Sequence, residues 1–228
     1  MADASPRIET FSGDRWALIV DLIGPNERSV LDIGCRGKEL RTHLPPHGHY
    51  VGLDLFAPAD VIASAEEPLP FDSDSFESVV LADVLEHLDN PHAALDEAIR
   101  VATRSVVVLL PNLFTLLWRV YFAALGRVPS EKYSFGPEPR ADRHRWLLNF
   151  DQAAAFTSGR ASLAGWCVAR ECAYAMPFRR WPARLAYRTA RTFGGPNLWS
   201  WEYAARLEPR NTRREAVDSE SRNRVLAD

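Results

Sequence analysis

The chain has 228 residues, 46% hydrophobic and 25% charged. That is the size and balance of one folded α/β domain with an elaboration, not of a fibrous or disordered protein. Cys35, Cys167 and Cys172 make neither a disulfide framework nor a CxxC pair, which argues for a reducing compartment and against a cysteine-based zinc site. The net charge of −3 hides an asymmetry: residues 1–100 carry 19 acidic and 7 basic side chains, residues 101–228 carry 11 and 20, so an anionic substrate or surface would meet the C-terminal half.

The first residues, MADASPRIETF, lack the basic and apolar regions of a signal peptide, and a cytoplasmic location is expected. Residues 14–24, DRWALIVDLIG, predict a helix with Trp16, Ile19, Val20 and Ile23 on one side, stopped by Gly24-Pro25-Asn26. SVLDI at 29–33 predicts a strand, 37–44 a helix ended by Pro45-Pro46, 49–55 a second strand, 60–63 a short third and 76–82 a fourth. Asp89-Asn90-Pro91 marks a helix start, because either polar side chain can accept from a free helix amide and proline suits the first turn. Leu95, Ala98, Ile99 and Ala102 then share a face, and 105–110 predicts the fifth strand. Strands and helices alternating at this spacing imply a largely parallel sheet.

After residue 111 the rhythm changes. Residues 105–126 are apolar, but Pro111-Asn112 and Arg119 interrupt them, so a strand, a turn and an amphipathic helix over 112–125 fit better than a membrane span. Residues 126–150 predict a long loop of the functional kind. A helix near 151–159, a strand at 165–175, a helix near 181–193 and a strand at 198–207 follow, the last with aromatics at 199, 201 and 203. Residues 209–228 are charged and read as a disordered tail. The domain is therefore expected to span 1–208, with a substrate-covering insertion at 112–150.

Ligands of parallel sheets bind beyond the carboxyl ends of the strands. Four such ends are legible: Asp32-Ile33-Gly34, Asp54, Ser64-Ala65-Glu66 and Ala82-Asp83. Asp54 stands where a ribose-binding carboxylate belongs. The dinucleotide pattern GxGxxG is absent, and Asp32 before the first glycine would repel a pyrophosphate but attract an ammonium group. A nucleoside carrying an amino acid meets both conditions, with its ribose on Asp54 and its ammonium near Asp32. His43, His47 and His49 flank Pro45-Pro46 without a nearby cysteine, and no metal site is expected.

VLDIGC at 30–35, VGLD at 51–54, AEEPLPFDSDSFESVV at 65–80 and DVLEHLDNP at 83–91, in that order, resemble the class I S-adenosylmethionine-dependent methyltransferases, in particular the small-molecule branch that includes ubiquinone/menaquinone-type enzymes. The resemblance implies a Rossmann-like α/β fold: a seven-stranded, mostly parallel sheet with one antiparallel edge strand and helices on both faces. It implies S-adenosyl-L-methionine as cofactor, held by Asp32, Gly34, Cys35, Gly37, Asp54, Leu55, Ala65, Glu66, Ala82 and Asp83. Two positions depart from the family pattern. Arg36 replaces a loop glycine, with Gly37 next to it to supply a positive φ, and Ser64 replaces an adenine-side acid.

His87 and His144 are the candidate catalytic residues, His144 within the basic and aromatic cluster Arg140, Arg143, Arg145 and Trp146. Arginine pairs with carboxylate or phosphate and tryptophan stacks on a sugar face, so O-methylation of a small molecule or glycan is the expected reaction. Two alternatives stand beside it: a non-catalytic module that keeps the fold, and a peripheral membrane enzyme acting on a lipid-linked glycan through residues 112–125. No Asn-Pro-Pro-aromatic motif follows the fourth strand and no dense basic patch exists, so nucleic acid is not an expected partner.

Overall fold

The computed structural model describes residues 7–128, 130–134, 136–138, 140, 142–175 and 181–210. The expected tail lies outside them, apart from its first two residues, and Pro209 closes a strand instead of opening a tail. The elements in chain order are β1 (Glu9–Ser12), α1 (Arg15–Ile23), β2 (Ser29–Ile33), β3 (His49–Asp54), β4 (Val61–Ile62), β5 (Phe76–Ala82), α2 (Pro91–Val101), β6 (Ala102–Pro111), α3 (Leu116–Leu125), α4 (Phe150–Leu163), β7 (Trp166–Ala175), α5 (Trp181–Phe193), α6 (Pro196–Trp199) and β8 (Glu202–Pro209).

The eight strands form one sheet in the order β1-β7-β8-β6-β5-β2-β3-β4. Neighbours run parallel except around β8, which is antiparallel to both β6 and β7 and lies third from the β1 edge. The eighth strand is β1, paired with β7 through Glu9↔Cys172 to Ser12↔Ala175. It has four residues, three of them exposed, and so gave no alternating pattern to read.

Side-chain alternation sends the sheet into two cores. Val106, Val108 and Leu110 of β6 join Leu95 and Ile99 of α2 and Phe150 of α4 on one face. Val107 and Leu109 point to the other face, against Leu18, Ile19, Leu22 and Ile23 of α1. The buried side of α1 therefore runs through Leu18 and Leu22, with Trp16 and Val20 only half-buried at its flank. Trp199 and Tyr203 lie in the first core and Trp201 packs against the second, because Trp199 ends helix α6 and Ser200 turns the chain into β8.

Local signals account for most element ends. Asn90, not Asp89, caps α2 by accepting from the Ala93 amide, with Pro91 in the first turn. Asn149 and Gln152 make a reciprocal capping box at α4. Thr115 caps α3, and Gly126 closes it in the left-handed conformation. The expected helix over 37–44 contracts to a 3₁₀ turn at Glu39–His43, since Lys38 before it is left-handed and Leu44 after it is extended.

Candidate active site

The carboxyl ends of β2, β3, β4 and β5 lie side by side, because the four strands are parallel and adjacent. Gly34 follows β2 with φ 75°, and a Cβ there would lie 2.5 Å from Val84 Cγ2, so only glycine fits between β2 and the turn after β5. The amides of Gly34 and Cys35 both donate to the Leu53 carbonyl, at 2.8 and 3.2 Å. The Arg36 amide donates to Asp54 Oδ2 at 2.9 Å, which joins the loop to the end of β3.

Arg36 carries a positive φ of 45° itself, and so does Lys38 at 62°. Gly37 is not among the positive-φ glycines, which corrects the expectation that it relieves the turn. The Arg36 side chain is 65% exposed and reaches Asp142 Oδ1 at 3.5 Å. It leaves the loop outward, toward the segment that follows α3.

Asp32 is buried on the β2 side. Its Oδ2 accepts from Tyr50 Oη at 2.7 Å. Burial drives its carboxyl up to about 7, against the Tyr50 hydrogen bond, which lowers it. Asp32 pairs in register with Gly52, and a Cβ at Gly52 would come within 2.7 Å of Cys35 Sγ and 3.2 Å of Tyr50 Oη. The missing side chain therefore leaves room for Tyr50 to reach along the face to Asp32. Sequence reading missed Tyr50; the pairing of a strand-end acid with a cross-strand glycine was the available signal.

At the third end, Ser64 Oγ accepts from the Glu66 amide at 3.1 Å, and Glu66 Oε1 accepts from the Asp89 amide at 2.5 Å. Ala65 is half-buried between them, and Leu55, just past β3, is 57% exposed. At the fourth end Asp83 has φ 56°, and its carboxylate faces Arg15 Nη2 at 2.6 Å. Arg15 Nε donates in turn to Glu202 Oε2 at 2.9 Å.

Beyond Asp83 the chain makes a 3₁₀ turn, Leu85–His87, and the segment after α3 folds onto it. The Arg145 amide donates to the Glu86 carbonyl at 2.8 Å, and Trp146 Nε1 donates to the Leu88 carbonyl at 2.8 Å. Arg145 also pairs with Asp89. These contacts bring His144 beside His87, ring centroids 4.5 Å apart and nearly perpendicular. Burial lowers both imidazoles, His144 to about 4, with Lys132 adding to that effect, so both are neutral at pH 7. Glu86 is fully buried, and burial raises its carboxyl well above the usual range. Sequence reading placed His87 and His144 as candidates; their meeting with each other and with Glu86 was not legible, because residues 126–149 carry no periodicity that would dock them.

Residues 31–110 match the sequence model of the family described as "Methyltransferase domain". The fold is similar to that of solved S-adenosylmethionine-dependent methyltransferases. One from Archaeoglobus fulgidus is 16% identical with a TM-score of 0.54, over 85% of this chain and 91% of that one. One from Methanosarcina mazei is 13% identical with a TM-score of 0.54, over 86% and 99%. Magnesium protoporphyrin IX methyltransferase from Synechocystis PCC 6803, solved with bound S-adenosylhomocysteine, is 15% identical with a TM-score of 0.50, over 86% and 80%. No curated protein matches the chain.

Residues 31–110 thus carry a methyltransferase-domain sequence, on a fold shared with solved S-adenosylmethionine-dependent methyltransferases. The matched residues run from the middle of β2 to the end of β6, and so contain all four strand ends described above. His144, Tyr133 and Asp142 lie outside the match, in the segment between α3 and α4. Among the described residues, no helix is long and apolar enough to cross a membrane.

Proposed function

We propose that the enzyme, of the small-molecule branch, transfers the methyl group of S-adenosylmethionine to a hydroxyl oxygen of a small molecule or glycan. Asp54 takes the ribose hydroxyls. Gly34, Cys35 and Gly37 shape the wall beside the methionine part, and Asp32 lies beneath its ammonium. Leu55, Ala65 and Glu66 flank the adenine, while the backbone of Ala82 and Asp83 borders the sulfonium. The protein's main contribution to such a displacement is alignment, since the sulfonium already carries the leaving group.

The observation that carries the oxygen acceptor is the pair of neutral imidazoles, His87 and His144, whose buried Nε2 atoms have no hydrogen-bond partner among the described residues. A hydroxyl must lose its proton to become a good nucleophile, whereas a neutral amine or a thiolate needs no such help. Residues 112–150 cover the acceptor, with Arg143, Arg145 and Trp146 offering contacts to acidic or sugar groups.

The test is twofold. Titration calorimetry with S-adenosylhomocysteine reads the cofactor site, and transfer of a labelled methyl group to a panel of hydroxylated small molecules and oligosaccharides reads the reaction. No binding by the folded chain sinks the reading. Binding without transfer to any acceptor favours a module that keeps the cofactor and lacks turnover.

A second reading concerns where the acceptor is met. Helix α3 has no buried residue, and Leu117, Val120, Phe122 and Leu125 are each about half exposed or more. An apolar surface of this kind suits a helix lying in a membrane interface, with the acceptor on a lipid carrier. Sedimentation with anionic vesicles decides it: Val120→Asp with Phe122→Asp abolishes binding if α3 is the contact, and absence of binding by the native chain removes the reading.

A further inference from the structure

Three donor groups converge at the turn after β5, Glu86, His87 and His144, each with a ligand atom within 4.8 Å of those of the other two. The Glu86 Oε1 atom lies 3.8 Å from His144 Nε2 and 4.0 Å from His87 Nε2. None of these atoms is solvated, and among the described residues no other residue hydrogen-bonds either Glu86 oxygen or either Nε2. A buried carboxylate without a partner costs several kcal/mol. Packing alone does not gather a carboxylate and two imidazole nitrogens, all unsatisfied, around one point. A cation at that point satisfies every one of them.

The remaining nitrogens are already fixed. His87 Nδ1 meets the Arg143 carbonyl at 3.0 Å. A carbonyl only accepts, so Nδ1 carries the proton and Nε2 presents its lone pair. His144 Nδ1 meets Tyr133 Oη at 2.5 Å. Ligating histidines characteristically have the far nitrogen held this way. The donor spacings of 3.8 and 4.0 Å exceed by a few tenths of an ångström the roughly 3.4 Å between neighbouring ligands on tetrahedral zinc. The Lys132 and Arg36 side chains, which would oppose a cation, each lie 3.5 Å from Asp142 Oδ1 and are partly offset by it.

We propose that Glu86, His87 and His144 bind one divalent transition-metal ion of the zinc or manganese class, leaving an open coordination position for the acceptor oxygen. Two imidazoles and one carboxylate favour such ions over magnesium, which prefers an all-oxygen shell. The use of the open position rests on the O-methylation reading; the binding of the ion does not. With both Nε2 atoms on the ion, deprotonation falls to the metal instead of to an imidazole base: a hydroxyl coordinated there is acidified and gives its proton to water. The resulting oxyanion forms the O–CH3 bond as the S–CH3 bond breaks, and that electron pair returns to sulfur, yielding S-adenosylhomocysteine and the methyl ether. Tyr133 is a positioning residue that orients His144.

The experiment uses the full chain after dialysis against a chelator. Titration calorimetry with ZnCl2 and MnCl2 is expected to give one saturable site per chain, and Glu86→Gln, His87→Gln and His144→Ala each to weaken it at least tenfold. Tyr133→Phe, which keeps the ring, weakens it less. Cobalt substitution supplies a second readout: the visible bands of low-coordinate Co2+ are expected in the native chain and lost in His144→Ala. Lack of a stoichiometric site, unchanged binding in all three ligand variants, or preference for MgCl2 overturns the proposal. S-adenosylhomocysteine binding measured on the same samples separates the two readings. Cofactor binding without metal binding removes the metal site alone. Metal binding without cofactor binding leaves the metal site standing and removes the methyl-transfer reading.

Discussion

The Arg36 main-chain N–H donates to Asp54 Oδ2 at 2.9 Å. The residue that departs from the family's glycine pattern thus ties the loop after β2 to the acid proposed for the ribose, using its backbone alone. Its side chain is 65% exposed and points to Asp142, which also lies 3.6 Å from His87 Nδ1. Arg36 is therefore a modified loop position compatible with a working site.

Asp54→Ala removes that tie along with the ribose contact. A charge-assisted hydrogen bond contributes about 1.5–3 kcal/mol, so the affinity for S-adenosylhomocysteine is expected to fall about tenfold to a hundredfold while the chain stays folded. Titration calorimetry with circular dichroism checks both halves. Unchanged affinity in a folded variant removes Asp54 from the ribose site.

Gly34→Ala is expected to be worse for the cofactor than for the fold. The added methyl must pass 2.5 Å from Val84 Cγ2 with the backbone held at φ 75°. Strain of this kind costs about 1–3 kcal/mol, and either the loop or the 84–87 turn must move to relieve it. The Tm is expected to drop by several degrees and binding to weaken by more than the stability loss implies. Pairing Gly34→Ala with Val84→Ala opens the space and is expected to recover part of both. Equal losses in the single and double variants refute the steric cause.

The fold and its row of strand ends were legible because they are written locally. Strands β2, β3 and β5 are mainly apolar runs whose carboxyl ends carry Asp32-Ile33-Gly34, Asp54 and Ala82-Asp83, and Asn90-Pro91 and Asn149 mark helix starts through their own side chains. What was not legible depends on contacts far apart in sequence. Tyr50 reaches Asp32 only because β2 and β3 pair in one register. Strand β1 gains its place from β7, not from its own four residues. His144 meets Glu86 and His87 through the Arg145 amide and the Trp146 indole, and nothing in residues 126–149 announces where those bonds will be made.

Asp32 predicts a pH dependence. Its folded carboxyl titrates at about 7, raised from the ordinary value by burial. Between about pH 4 and pH 7 the unfolded chain has released this proton and the folded chain keeps it. Folding therefore loses stability as pH rises through that window, and loses no more from this group above it. Asp32→Asn abolishes the term. Urea unfolding is expected to show the variant gaining on the native chain by roughly 2–3 kcal/mol between pH 5 and pH 8. A cationic ammonium bound nearby favours the ionised form, so S-adenosylhomocysteine affinity should rise up to about pH 7 in the native chain only. A stability difference that does not vary with pH refutes the assignment.

Arg15 is expected to be a sensitive charge in the fold. It begins α1, faces Asp83 after β5 at 2.6 Å, and donates to Glu202, the first residue of β8, at 2.9 Å. Glu202 is 6% exposed, and Asp83 Oδ1 is buried without a hydrogen-bond partner among the described residues. Arg15→Met keeps much of the packing volume but leaves two neighbouring carboxylates uncompensated. Breaking a fully buried ion network costs about 3–5 kcal/mol; with Arg15 24% and Asp83 34% exposed, solvent screening reduces this to about 2–3 kcal/mol, which for a chain of this size lowers Tm by roughly 5–10 °C. Neutralising the partners as well, with Asp83→Asn and Glu202→Gln, removes the uncompensated charge and is expected to restore most of that loss. Differential scanning calorimetry of the single and triple variants checks it. A single variant within about 1 kcal/mol of native, the range of an exposed pair, would mean the three groups are solvated and act independently. The consequence reaches the active site, because Asp83 holds φ 56° and opens the turn that carries Glu86 and His87. Arg15→Met is therefore expected to reduce methyl transfer at temperatures where the chain is still fully folded.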